Sequence, residues 1–251
     1  MRKIILLVCT AICFIFYSTA QPCVTGNTWL GTTNDWFTPS NWCTGIVPAS
    51  TTDVIIPPGT PNQPVINAAG AFCHTLTISS AASLTINGTN TLSVSGDWTN
   101  NGTFNANNST ISFTANTAVT QTIVGNTTFY NVSKPNSSST LSFGNTTTTI
   151  ANNLAVSGGS MSGGTSTIIF TGNSASLQGN SAKDFYNIEI SNGAVLTQTA
   201  GTNVNISNSY KNNGTFIQNN SRTITFQTVS QTLSGSGTST FGNVTISALS
   251  L

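Results

Sequence analysis

A repeat limits this chain more than any other feature. Phe129-Tyr130-Asn131-Val132, Phe185-Tyr186-Asn187-Ile188 and Phe241-Gly242-Asn243-Val244 recur with a constant period of 56 (185 − 129 and 241 − 185), and a weaker copy, Phe72-Cys73-His74-Thr75-Leu76, precedes the first by 57 (129 − 72). Independent markers keep the period. Ile111-Ser112-Phe113, Ile168-Ile169-Phe170 and Ile224-Thr225-Phe226 are spaced by 57 and 56, and Asn100-Asn101-Gly102-Thr103-Phe104 returns after two periods as Asn212-Asn213-Gly214-Thr215-Phe216. Units accordingly run over 72–128, 129–184 and 185–240, and a further one opens over 241–251. A fixed period of this size marks a unit that cannot bury its own apolar face and is completed by stacking on its neighbours.

Inside each unit the period is two. Leu84-x-Ile86, Leu92-x-Val94, Ile111-x-Phe113, Leu141-x-Phe143, Leu154-x-Val156 and Ile224-x-Phe226 each set two apolar residues around one small or polar residue, which is strand alternation in short pieces. Asn and Gly clusters divide the pieces and suit sharp corners. An immunoglobulin-type sandwich needs about 100 residues, and a propeller needs at least about four blades. The expected fold is therefore all-β, a parallel β-solenoid (β-helix) built from the 56-residue repeats, each making two or three coils.

That fold accounts for an unusual composition. Only 4% of the 251 residues are Asp, Glu, Lys or Arg, against about 25% in ordinary soluble domains. Thr, Ser, Asn and Gly take their place. Stacked coils put equivalent side chains one above another, where hydroxyl and amide ladders are tolerated and like charges repel. The same deficit excludes a nucleic-acid partner, because Lys134, Lys183, Lys211 and Arg222 are scattered singly and phosphate binding needs clustered cations.

Positions 1–20 read as a signal peptide. Met1-Arg2-Lys3 supplies positive charge, Ile4 to Tyr17 an apolar run, and Ser18-Thr19-Ala20 the small residues before a cleavage between Ala20 and Gln21. The run is shorter than the ~20 residues of a membrane span, and no transmembrane segment is expected in the mature chain. Secretion or the outer cell surface is the expected location. Cys23, Cys43 and Cys73 would then meet an oxidising compartment, where two of them are expected to pair. Cys43 with Cys73 is the pairing expected, leaving Cys23 over. No metal or cofactor is expected, since three Cys and the lone His74 lack ligand spacing.

Residues 21–71 differ from the repeats. They hold Trp29, Trp36, Trp42 and a proline-rich stretch through Pro57, Pro58, Pro61 and Pro64. Bulky aromatics and prolines block strand addition, so this segment is expected to cap the solenoid's N-terminal end. An alternative use of Trp29, Trp36 and Trp42 is as a sugar-stacking platform, with Asp35 accepting from hydroxyls. No matching segment follows the repeats, and the last strand-like piece, Asn243-Val244-Thr245-Ile246, leads to the expectation that the natural array continues or that the reading frame is truncated.

Thr28-Trp29-Leu30-Gly31, Asp35-Trp36-Phe37, Asn41-Trp42-Cys43-Thr44-Gly45-Ile46-Val47-Pro48, Asp53-Val54-Ile55-Ile56-Pro57 and Leu92 through Thr103 resemble the opening of large secreted surface proteins of Bacteroidota. The resemblance implies Thr/Asn/Gly-rich β-solenoid repeats, export by the type IX secretion route and an adhesin-like or cell-surface structural role with no assigned catalytic residues; the partner expected for such a role is surface polysaccharide or other cell-surface material.

Catalysis is not expected. Polysaccharide-degrading β-helices use paired carboxylates or a Ca²⁺ site with a basic residue, whereas Asp184 and Glu189 form the only near acidic pair and are expected to solvate a coil edge. Ice binding would need a column of Thr-x-Thr strands. Thr75-x-Thr77, Thr165-x-Thr167, Thr197-x-Thr199 and Thr223-x-Thr225 invite it, but the aligned triplets of successive units do not keep threonine in phase. The resulting expectation is a secreted structural or adhesive solenoid module, with a Trp-based carbohydrate-binding module as the alternative.

Overall fold

A computed structural model describes residues 23, 26–136, 138–199, 201, 203–219, 221–227 and 231–247; the signal segment and its Ala20–Gln21 junction lie outside the described residues. The chain is an all-β, parallel β-solenoid of about nine stacked turns. Among the described residues the one helical element is the single 3-10 turn Pro39–Asn41, and no helix is long and apolar enough to cross a membrane.

Each turn lays one strand on each of three faces. Leu76–Ile78, Ser83–Ile86 and Thr91–Val94 make one turn, and Trp98–Asn100, Thr103–Asn105 and Thr110–Phe113 the next. Strands of equal position pair in parallel: Leu76 with Trp98, Leu84 with Phe104, Leu92 with Ile111. The third face is a continuous nine-stranded sheet from Ala71–Cys73 to Thr238–Thr240. Two long strands, Lys183–Ile190 and Val204–Asn212, pass round a corner and serve two faces, with a register shift between Phe185 and Asn187. Val204–Asn212 therefore receives two later strands, Thr223–Phe226 on its first half and Thr232–Ser234 on its second. The last strands leave Leu233, Val244 and Ile246 exposed.

The apolar members of the period-two pattern fill the axis. Leu84, Ile86, Leu92, Val94, Ile111, Phe113, Leu141, Phe143, Leu154, Val156, Ile224 and Phe226 are all buried. Each such side chain removed from water contributes roughly 1.5–3 kcal/mol, offset by the entropy of ordering the chain.

The 56-residue period is not a whole number of turns. From Thr110–Phe113 to Thr167–Phe170 is a step of eight strands. It is eight again to Thr223–Phe226 when the two corner-turning strands are counted on both faces. Eight is not divisible by three, so the Ile-x-Phe motif moves from the third face to the second and then to the first. The unit boundaries at 128/129, 184/185 and 240/241 consequently fall at different places in the turn.

The first and third units build the same corner on different faces. Trp98 Nε1 and Asn100 Nδ2 both donate to Thr127 Oγ1, each at 3.2 Å, and Gly102 N donates to Asn100 Oδ1. Two periods on, Tyr210 Oη lies 2.7 Å from Ser239 Oγ, Asn212 Nδ2 donates to the same oxygen, and Gly214 N donates to Asn212 Oδ1. The aromatic trios Trp98, Phe104, Phe129 and Tyr210, Phe216, Phe241 correspond. Gly125, at φ +83°, and Gly235, at φ +109°, lie against the carbonyls of Asn100 and Asn212, where a Cβ would collide with the oxygen. The middle unit has Leu154 and Val156 instead of the aromatic and the Asn. There Lys183 takes the place of the hydroxyl and donates to the Val156 and Ser181 carbonyls.

The N-terminal cap is a knot of indoles. Trp42 stands edge-on to Trp29 and Trp36 at centroid distances of 4.9 and 4.7 Å. Trp42 Nε1 donates to the Trp36 carbonyl and Trp29 Nε1 to the Asn62 carbonyl, both at 2.7 Å. Buried Asn41 organises the loop before it, accepting from Thr33 N and donating to the Asp35 carbonyl. Asn27–Thr28 pairs with Val54–Ile55 and covers the first edge strand.

The disulfide differs from expectation. Cys43 pairs with Cys23, not with Cys73. In Ala71-Phe72-Cys73 the pleat turns Cys73 inward, into a column above Val94, while Cys43 lies on the cap loop, where its Sγ accepts from Thr28 N. Burial, with a smaller contribution from the Asp53 charge, holds the Cys73 thiol far above the ordinary range.

Charges obey the stacking rule. Glu189 and Lys211 are cross-strand neighbours and form an ion pair at 2.9 Å. Like charges directly opposite destabilise a ladder by up to about 1 kcal/mol. Lys211→Glu should thus lower the urea midpoint, and adding Glu189→Lys should restore it. Equal effects of Lys211→Glu and Lys211→Gln would refute this account of the composition.

Candidate functional site

None of the three cap indoles is available to a ligand. Trp29 and Trp36 are 0% exposed and Trp42 is 1% exposed. The sugar-stacking platform expected as an alternative is therefore not formed, because the rings pack on one another to close the solenoid. Asp35 is likewise engaged within its own loop, accepting from Phe37 N and Thr38 Oγ1.

The acidic side chains are dispersed among structural partners. Asp53 binds His74 and Thr75, Asp97 accepts from Thr122 N, Asp184 accepts from Asn205 Nδ2 and Glu189 pairs with Lys211. Asp184 and Glu189 sit on one strand on either side of its register shift and turn to different partners. Among the described residues no group of three or more His, Cys, Asp or Glu converges.

The outer faces carry ladders of small polar groups. Ser93, Ser112 and Ser133 stack in register on the third face. Asn side chains bond along the stack, as from Asn87 to Asn67, Asn152 to Asn131 and Asn208 to Asn187. None of the four Thr-x-Thr sequences builds a threonine column: Thr77 has Ile55 on one side, Thr167 lies between Thr147 and Asn187, and Thr197 and Thr223 stack on Ile217 and Asn243. A different array appears at the spacing of one turn. Thr120, Thr140 and Ser160 align, as do Thr122, Ser142 and Ser162. Comparison at the repeat period misses it, because stacked neighbours are separated by a single turn and not by a whole unit.

A concavity lies where the cap meets the third face. It is a cleft of about 600 Å³, within the usual range for small-ligand sites. Its floor is Phe72, Ser93 and Ser95 with His74; one wall is Ser50 and Thr51 of the cap loop, the other the loop 114–119. Phe72 is 43% exposed because Cys73 beside it faces the core. That alternation in Ala71-Phe72-Cys73 is the sequence signal that could have marked the aromatic as outward.

The cleft is braced on every side. Asp53 Oδ1 lies 2.7 Å from His74 Nδ1 and accepts from Thr75 Oγ1 at 2.7 Å and Thr75 N at 3.2 Å. Partial burial acts to raise the Asp53 carboxyl, but the Thr75 and His74 bonds outweigh it and hold the group below its ordinary value. The 114–119 wall is pinned from behind, with Gln121, Lys134 and Ser139 bonding Ala115 and Asn136 bonding the Thr114 carbonyl. Ser95 Oγ donates to the Ser50 carbonyl and ties the floor to the cap.

The molecule is thus a capped parallel β-solenoid with polar ladders outside and one braced cleft beside its cap. A family model described as a domain of unknown function (DUF8693) matches residues 28–143, from the cap through the turns that form the cleft. No curated protein and no solved structure matches the chain.

Proposed function

We propose that the protein is a secreted or cell-surface module that acts as a structural and adhesive element without catalysis, with surface polysaccharide as its partner. The observation that carries this reading is a long, rigid stack whose outer faces are uncharged hydroxyl and amide ladders, while all five acidic side chains serve structural bonds. The signal-like segment 1–20 supports export, and the opening resembling Bacteroidota surface proteins supports the type IX route.

Expression of the whole chain in a bacterial host with surface export should give a mature protein whose N-terminal residue is Gln21 by mass spectrometry. It should be accessible to external antibody and raise the attachment of coated beads to polysaccharide-covered surfaces. An intracellular protein that retains Met1 would overturn the reading.

A further inference from the structure

The geometry points to the cleft between the cap and the third face as a binding site for a neutral carbohydrate, with Phe72 as the stacking ring; this rests on the adhesive reading above. Three observations select that chemistry. The exposed Phe72 ring stands opposite Ser93 in register, so an apolar plane adjoins hydroxyls that both donate and accept. A pyranose has the same division, with a C–H face that packs on an aromatic ring and a rim of hydroxyl groups.

The lining adds Thr114 and Asn116 to Ser93 and Ser95 and, among the described residues, contains no Lys, Arg, Asp or Glu. A phosphate or another strong anion would meet no Lys or Arg there, and the one imidazole, His74, is already engaged by the Asp53 carboxylate. On the floor Thr91–Val94 is paired on both sides and offers an extended peptide no free backbone edge, which leaves only the short end strand Ala71–Cys73 of that sheet.

Pre-organisation is the third observation. His74 is fixed at Nδ1 by Asp53 and lies over Gly96, where even a methyl group would come within 3.0 Å of Nε2. The opposing wall is pinned through Ala115. Rigid side chains lose little entropy on binding, which matters for a ligand held by few contacts.

The test is calorimetric titration of the full chain with neutral hexasaccharides of the cello, manno, galacto and chito series, and with polygalacturonate as an acidic comparison. At least one neutral series should bind saturably in the micromolar to millimolar range. Phe72→Ala should weaken that binding roughly tenfold or more, with only a small drop in the urea midpoint because the ring is 43% exposed. Ser93→Ala is the second variant and should weaken it less. Absence of saturable binding by every neutral series, preference for polygalacturonate over all of them, or binding indifferent to both variants would each overturn the assignment. The maturation and surface-exposure measurements proposed above do not depend on this result, so the two readings fail separately.

Discussion

Replacing Trp42 with alanine is expected to detach the N-terminal cap, at a cost of about 3–5 kcal/mol. Trp42 is the central ring of the indole knot, edge-on to both Trp29 and Trp36. Its loss leaves a cavity between two rigid neighbours and strips the Trp36 carbonyl of its donor. In a stacked protein each turn is coupled mainly to its neighbours, so the damage should stay local. Urea unfolding of Trp42→Ala should therefore split into two steps. An early step, seen in tryptophan emission and in proteolysis of the cap, precedes an almost unchanged main transition. Trp36→Phe should be much milder, because Trp36 Nε1 is buried with no hydrogen-bond partner among the described residues, so losing it removes an uncompensated desolvation. A single transition at the unaltered midpoint for Trp42→Ala would contradict the cap assignment.

The second large effect belongs to Lys183 and appears only as pH changes. Its ammonium is fully buried, donating to the Val156 and Ser181 carbonyls. Burial lowers its pKa from 10.5 to about 8. Between those values the folded protein has released a proton that the unfolded chain still holds, so stability rises with pH across this window and is flat, in this contribution, below it. The rise amounts to roughly 3 kcal/mol at about 1.36 kcal/mol per pKa unit. Cys73 acts in the opposite sense. Its folded-state value is raised, so the unfolded chain ionises first and stability falls as pH passes the ordinary thiol value. Tyr210, raised chiefly by burial against bonds from Ser239 and Asn212, also loses stability at still higher pH.

These opposing contributions cancel when wild type is compared with Lys183→Met. The difference in unfolding free energy between the two should change by about 3 kcal/mol in favour of wild type from about pH 7.5 to 10.5. Urea midpoints measured across that range decide it. A difference that does not vary with pH would mean that Lys183 is not held as a buried ammonium at neutral pH.

Much of this architecture was readable in advance. Pairs such as Leu92-x-Val94 and Ile111-x-Phe113 proved to be inward residues of parallel strands, because period-two alternation follows from the pleat and needs no tertiary information. The 4% charge also foretold stacking, and the Glu189–Lys211 pair shows opposite signs in register. What failed depended on contacts between distant segments. Three tryptophans look alike whether they face a sugar or one another, and only packing around Trp42 distinguishes the two. The Cys43 partner turned on the inward direction of one residue, Cys73, which a stricter use of alternation at Phe72 would have given. The same step would have placed Phe72 outside and drawn attention to the cleft.

The eight-strand step of the repeat has a consequence for how such a chain can lengthen. A duplicated block that fits more than one wall, as the aromatic and Asn corner does at Trp98 and again at Tyr210, frees growth from the need to add whole turns. By that logic, inserting or deleting a single strand segment would rotate everything beyond it by one wall. The interior is interchangeable in this sense, so selection for what the protein touches can act on the outer surface one wall at a time.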